Sequence, residues 1–229
     1  MKLEKITKKS RRYDDACGTA QALDLVGERW ALLVMRELML GPRRFSELRD
    51  SLPGVSANVL TQRLEGLEAA GVVRRRRLAP PASAQVYELT DWGLEAEPVI
   101  LSLGRWGARS PCQDTTLPLS AVSMVLSFRA MFDAARAPDL DVSLTVRCGR
   151  EDFAFTVRGG VLSAGRGEAA DAEAEVTGTP GAVATAVYGL RPLAELEREG
   201  ALRIAGDRSA LARFSRAFAL PPKAEAGEA

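Results

Sequence analysis

Apolar positions along the chain fall into two regimes. Over residues 19–40, Ala22, Leu23, Val26, Trp30, Leu33 and Val34 recur at helical intervals, interrupted at Gly27. This predicts two helices, or one bent one, ending at Gly41-Pro42, with Trp30 and Leu33 in the core. Phe45, Leu48 and Leu52 repeat the period over a shorter stretch that stops at Pro53-Gly54. Leu60, Leu64 and Leu67 then define another helix, with Ser56 as its N-cap and Asn58, Thr61, Gln62 and Glu65 on the side away from the leucines. Two strand-like runs follow, 72–78 and 85–89, around Pro80-Pro81. Residues 90–108 read as a helix with Leu94, Ile100, Leu101 and Trp106 apolar, started by Thr90 or Asp91 and kinked at Pro98.

Past a polar, Pro-containing stretch at 111–118, the texture changes. Val122, Val125, Leu126, Met131 and Phe132 keep a helical period, and then alternation takes over in Val142-Leu144-Val146, Phe153-Phe155-Val157, Val161-Leu162 and Ala172-Ala174-Val176. Gly149 and Gly159-Gly160 supply turns between these strands, and residues 179–218 read as helix, short helix, strand, helix. The second half is therefore expected to be an α+β layer of meander sheet and helices, and the first half mainly α. Five segments result: an arm at 1–16, a first domain at 17–110, a linker at 111–118, a second domain at 119–220 and a disordered tail at 221–229.

The order of short helix, Pro-Gly turn, polar-faced helix and basic hairpin is that of a winged helix. Its exposed helix face can reach base edges in the major groove, while wing arginines neutralise phosphates or enter the minor groove. On this pattern the candidate DNA contacts are Arg43, Arg44, Ser56, Asn58, Thr61, Gln62, Arg63, Arg75 and Arg77. Arg75 and Arg77 alternate onto one side of their strand, and Arg74 and Arg76 onto the other. The chain lacks the aromatic-rich sheet signature of an RNA-binding module, so double-stranded DNA is the expected partner.

Residues 17–111 resemble the HxlR-type family of bacterial winged-helix transcriptional regulators, part of the wider MarR-like group. The matching features are Cys17, DLVGERWALLVMRELMLGPRRFSEL, VSANVLTQRLEGLEAAGVVRR, YELTDWG, and a closing helix with Pro98 and Trp106. The resemblance implies a homodimer on a two-fold-related operator, joined by its terminal helices, with Trp92, Ile100, Leu101 and Trp106 as candidate interface residues. Some members sense oxidants or electrophiles through a cysteine at the place of Cys17, which makes a thiol-based regulator an alternative. Asp14 and Asp15 would raise that thiol's pKa while Arg11 and Arg12 would lower it, so the sequence leaves the point open. From about 120 to 220 the chain resembles the sterol carrier protein 2-like domain, through DAEAEVTGTP, GTPGAVATAVYG and GALRIAGD. That resemblance implies a tunnel for a small apolar ligand, with Phe153, Phe155, Val183, Val187, Tyr188, Phe214 and Phe218 as candidate lining.

Composition narrows the remaining possibilities. At 229 residues with 46% hydrophobic content the chain can build two cores. The net charge of +1 hides an asymmetry: residues 1–115 hold 18 Lys and Arg against 15 Asp and Glu, the remainder 13 against 15. Lys2, Lys5, Lys8, Lys9, Arg11 and Arg12 make the arm basic and able to lie on a DNA backbone. Zero histidines, three cysteines without metal-like spacing, no nucleophile with a base partner and no Gly-rich phosphate loop argue against an enzyme, a metal or a cofactor. No apolar run is long enough for a membrane and the N-terminus lacks a signal-like core, so a cytoplasmic protein is expected. The reading is a dimeric, ligand-modulated, DNA-binding transcriptional regulator. The alternative is a ligand carrier whose winged helix mediates protein contacts.

Overall fold

A computed structural model of the chain describes residues 12–81 and 83–225, and divides into one unit ending at Leu94 and a second beginning at Glu95. Lys2, Lys5, Lys8, Lys9 and Arg11 of the basic arm lie outside the described residues, as do the last four residues of the tail.

In the first unit, helices α1 (Gly18–Val26) and α2 (Ala31–Leu38) are separated at Trp30, which adopts a left-handed conformation (φ 78°). That residue restarts the helix in a new phase. Ala31, Val34, Met35 and Leu38 then point inward, whereas Leu33, expected in the core, is 39% exposed and Trp30 is half-buried. Helix α3 (Phe45–Ser51) and helix α4 (Ala57–Ala69) flank the Pro53-Gly54 turn. Leu48 and Leu52, and on α4 Leu60, Leu64 and Leu67, are fully buried side chains, and both helices pack against α2. Burying each leucine is worth about 1.5–3 kcal/mol, so their burial holds the helix pair in place.

Strands β1 (Val73–Arg77) and β2 (Gln85–Leu89) form an antiparallel hairpin in the register Val73↔Leu89 to Arg77↔Gln85. A third segment joins it by an isolated bridge, in which Arg43 N–H donates to the Tyr87 carbonyl (2.9 Å) and Tyr87 N–H donates to the Arg43 carbonyl (2.8 Å). The short helix α5 (Asp91–Leu94) is started by Thr90, whose Oγ1 accepts from Gly93 N–H and donates to the Gly71 carbonyl.

The helix expected over 90–108 is two helices. Pro98 lies in the first turn of α6 (Glu97–Gly107), where its missing N–H removes no hydrogen bond, so it begins a helix rather than kinking one. Within the second unit α6 packs against α7 (Ala121–Met131), so the monomer groups α6 with the C-terminal half although the sequence's linker lies later, at 111–118. Five strands follow: β3 (Val142–Cys148), β4 (Glu151–Arg158), β5 (Val161–Arg166), β6 (Ala174–Gly178) and, after helices α8 (Pro180–Val187) and α9 (Leu193–Arg198), β7 (Leu202–Gly206). Their order is β5-β4-β3-β6-β7, with β3 and β6 parallel and the other pairs antiparallel.

The expected meander therefore covers β3 to β5 only. The chain then crosses back, and its crossover is tied to β3 where Ala169 N–H donates to Thr145 Oγ1 and Glu173 N–H to the Ser143 carbonyl. These contacts bury Ser143 and Thr145, which an alternating pattern alone would place in solvent. Helix α10 (Arg208–Ser215) closes the unit, packing with α8 and against β3. Among the described residues, no helix is long and apolar enough to cross a membrane.

Candidate nucleic-acid interface

Helix α4 is fixed from within and open on its other side. Ser56 caps it, its Oγ accepting from Val59 N–H at 3.3 Å, and the three buried leucines set the helix's rotation. Asn58, Thr61 and Gln62 are consequently exposed together. Side-chain amides of this kind can pair with adenine through two hydrogen bonds, and a threonine hydroxyl can serve either base type. Arg44, just before α3, is also exposed, and its N–H donates to the Glu47 carboxylate at 2.7 Å.

The other candidate contacts are placed differently. Arg43 is only 7% exposed, because its main chain is the third segment of the wing. Arg63 turns back and pairs with Glu28 at 3.3 Å, its side chain largely covered. Neither presents a free guanidinium at the surface of α4. Ser56 is exposed, but its hydroxyl is engaged in the cap.

In the wing the arginine run alternates, and each side has its own carboxylate. Arg74 Nε (2.7 Å) and Arg76 Nη2 (2.9 Å) converge on Glu88. Burial pushes the Glu88 carboxyl upward, but hydrogen bonds from Arg74 and Arg76 prevail and hold it below its ordinary value. On the opposite side Arg75 Nη2 bonds Glu68 Oε2 at 2.7 Å while its guanidinium lies 5.4 Å over the Tyr87 ring. The hydrogen bond to Glu68 raises Arg75 further above its normal value. The Arg77 side chain is exposed and makes no ion pair or hydrogen bond among the described residues. Glu68, Tyr87 and Glu88 were absent from the sequence-derived candidates. The signal for Glu88 was there, since an antiparallel register pairing Arg77 with Gln85 puts Arg74 opposite Glu88.

The candidate interface residues on α5 and α6 separate. Trp92 and Trp106 are 51% and 73% exposed, Leu101 is half-buried, and Ile100 turns inward. Val99 and Leu103, missed from the sequence, stand exposed with Trp106 at helical spacing and form the apolar stripe. Beyond the helix, Ala224 N–H donates to the Arg109 carbonyl at 2.7 Å, and Lys223 Nζ donates to the Ala108 carbonyl at 3.0 Å. These two residues fall within the segment expected to lack order.

Of the candidate ligand-lining residues, Phe155, Tyr188, Phe214 and Phe218 join one ring cluster, and Phe153, Val183 and Val187 are buried. Phe153, Phe155 and Val183 have no exposed surface, Val187 and Phe214 almost none, and Phe218 is 4% exposed. Phe214 meets Phe218 at 4.6 Å between ring centroids and Phe155 at 5.7 Å, with Phe128 against Phe155, Phe214, Phe218 and Tyr188. The Tyr188 hydroxyl hydrogen-bonds Ser127 Oγ at 2.6 Å, and burial pushes its pKa up to about 12. Two open clefts in this unit lie elsewhere. One of about 620 Å³ is lined by Glu97, Arg129, Phe132 and residues 160–164, and one of about 400 Å³ by residues of α8, α10 and the 189–193 turn.

Cys17 is exposed and caps α1, its sulfur accepting from Ala20 N–H at 3.3 Å. Cys148 is its opposite, a buried thiol pushed up to about 12 by burial and by Glu151 and Asp152. Among the described residues no group of His, Cys, Asp and Glu is placed to hold a metal ion.

Residues 25–114 match a family described as HxlR-like helix-turn-helix. The chain is 37% identical over 92 residues to the uncharacterized HTH-type transcriptional regulator sll1512 of Synechocystis sp., a match spanning 40% of this chain and 68% of that protein. It is 36% identical over 86 residues to the uncharacterized HTH-type transcriptional regulator YvaP of Bacillus subtilis, covering 38% of this chain and 80% of that one. Among solved structures, the redox regulator HypR in its oxidized form is 32% identical, covering 40% of this chain and 94% of that chain with a TM-score of 0.37.

Proposed function

The chain belongs to the HxlR-like helix-turn-helix family and is a DNA-binding transcriptional regulator, and from that premise we propose how it reads DNA and what governs it. Asn58, Thr61 and Gln62 read operator bases from α4, and Arg44 and the wing hold the phosphates. The observation that carries this is the exposure of the three polar side chains on a helix whose opposite side is locked by Leu60, Leu64 and Leu67. The protein works as a homodimer on a two-fold-related operator, joined in part by the exposed stripe Val99, Leu103 and Trp106 together with Trp92. The test is binding of the purified protein to DNA immediately upstream of its own gene and to unrelated duplex at several salt concentrations. Tighter binding to the upstream DNA, with a salt slope on both, supports the reading. Binding to neither would leave the carrier alternative, in which the winged helix contacts protein.

The second unit serves as a sterol-carrier-like receiver for a small apolar ligand that modulates DNA binding. Its element order and its concentration of apolar rings between sheet and helices support this, and the ligand would enter where Phe155, Tyr188, Phe214 and Phe218 now pack against one another. A ligand at a hundredfold excess over its dissociation constant stabilises the folded state by about 2.7 kcal/mol. A thermal-shift screen of lipids and polyketide-like compounds on the full chain reads this out. If no compound shifts the melt and Tyr188→Trp is destabilised as an over-packed core is, the unit is structural.

A thiol-based reading is favoured by one observation, the exposure of the Cys17 sulfur at the N-terminus of α1. Peroxide or quinone treatment would then weaken DNA binding in the wild type but not in Cys17→Ser. Equal sensitivity of the two proteins removes the idea.

A further inference from the structure

Four consecutive arginines invite the view that the whole run grips DNA. The structure distributes them among unequal surroundings. Arg74 and Arg76 share one carboxylate, Glu88, leaving that group one positive charge in excess. Arg75 is matched one to one by Glu68. Arg77 alone of the four has no acidic partner among the described residues. The run thus offers two excess charges rather than four, and only one of them is an unshared guanidinium.

Arg75 is also held more firmly than a surface pair implies. Glu68 lies in the last turn of α4, so its bond to Arg75 ties a wing strand to the helix that carries Asn58 and Gln62. Beneath the guanidinium is the ring of Tyr87, itself paired through its main chain to Arg43. An exposed ion pair alone is weak enough for a phosphate to displace. Here the displacement would strip a cation–π contact as well and leave the Glu68 carboxylate beside the incoming phosphate, like charge against like.

We propose that the run has two roles: Arg75, through Glu68, is a positioning residue that sets the wing's angle to α4, and Arg77 is the arginine that contacts a DNA phosphate. This rests on the DNA-binding reading above and assigns the wing's residues within it. Glu68 then acts as a selectivity device. It withholds one cation from indiscriminate phosphate binding and keeps helix and wing oriented so that both engage only a matching site.

The experiment uses the full-length protein and two duplexes, one of random sequence and one selected from a random library by the wild type. Anisotropy titrations across salt are run for Arg77→Gln, Arg75→Gln and Glu68→Gln, with thermal melts to confirm folding. Each phosphate contact contributes about 0.9 to the slope of log K against log salt. Arg77→Gln is expected to flatten the slope by about 0.9, which changes affinity about 3.5-fold between roughly 50 and 200 mM salt. Arg75→Gln is expected to leave the slope on random DNA at its wild-type value while lowering the preference for the selected site. Glu68→Gln is expected to lower that preference too, but to steepen the slope by about 0.9 as Arg75 is freed. A merely structural pair would not move the two slopes differently. The proposal is overturned if Arg75→Gln flattens the slope as Arg77→Gln does, or if Glu68→Gln leaves slope and preference unchanged. Absence of salt-dependent duplex binding by the wild type would instead overturn the DNA-binding reading.

Discussion

Gly93 stands where no side chain fits: a Cβ built on it would lie 2.3 Å from the Val72 carbonyl oxygen and 3.0 Å from Leu89 Cδ2. It is buried at the start of α5, directly below the strand that ends at Leu89, so the backbone there must approach closely. Gly93→Ala is expected to cost about 1–3 kcal/mol, the usual penalty of forcing a methyl into a filled site, measured by urea unfolding. An unchanged midpoint would mean the region relaxes freely. Asn58 and Gln62 are the reverse case, exposed side chains that support no packing. Asn58→Ala or Gln62→Ala should leave the melting temperature alone yet reduce discrimination between selected and random DNA by about 1–3 kcal/mol per lost bidentate base contact. Equal losses on both duplexes would deny these residues a base-reading role.

The wing is an element whose stability carries a pH signature. Glu88 receives Arg74 and Arg76, and its folded-state pKa is lowered relative to the ordinary 4.5. A carboxylate of lowered pKa contributes stability that is fully present above the unfolded value and is lost as pH falls through the folded one. The hairpin should therefore loosen only below about pH 4.5. Comparing urea midpoints of the wild type and Glu88→Gln from neutral pH downward checks this. The two curves are expected to converge in acid, and a constant gap between them would show that protonation of Glu88 is not the cause. Helix α6 is a second instructive element. It buries Ile100 and leaves Val99, Leu103 and Trp106 exposed, so that the helix carries a second apolar face in addition to its buried one.

At the scale of the whole molecule, that second apolar face is the strongest physical pointer to self-association, since large apolar side chains clustered on one helix side in water are costly. Trp106→Ala is expected to shift the protein toward monomer in sedimentation while the melt of the winged unit stays in place. A dimer of unaltered affinity would remove Trp106 from the interface. In the proposed homodimer two heads would grip one operator, so such a monomerised variant should also lose far more affinity for the selected site than for a single half-site.

Much of the first unit was legible in the sequence, because local rules decide it. Leucines spaced by a helical turn, a serine cap and a Pro-Gly turn specify α3 and α4 whatever surrounds them, and Asn58, Thr61 and Gln62 are outward because Leu60, Leu64 and Leu67 are inward. The alternation of the wing arginines followed from the two-residue period of a strand. What could not be read locally was each side chain's counterpart. Arg43, Arg63 and Arg75 were plausible DNA contacts as isolated cations, and only the folded chain brings the Tyr87 main chain, Glu28 and Glu68 to them. The phase of α2 depended on a single left-handed residue, Trp30, and the sheet order of the second unit on a crossover that binds Ser143 and Thr145. Likewise the rings at Phe155, Phe214 and Phe218 were identifiable as apolar, but their mutual contact, at centroid separations of 4.6–5.7 Å, is a product of the tertiary fold. Period and capping are properties of neighbouring residues, whereas ion pairing, sheet order and packing density depend on residues distant in sequence that only the tertiary fold makes adjacent.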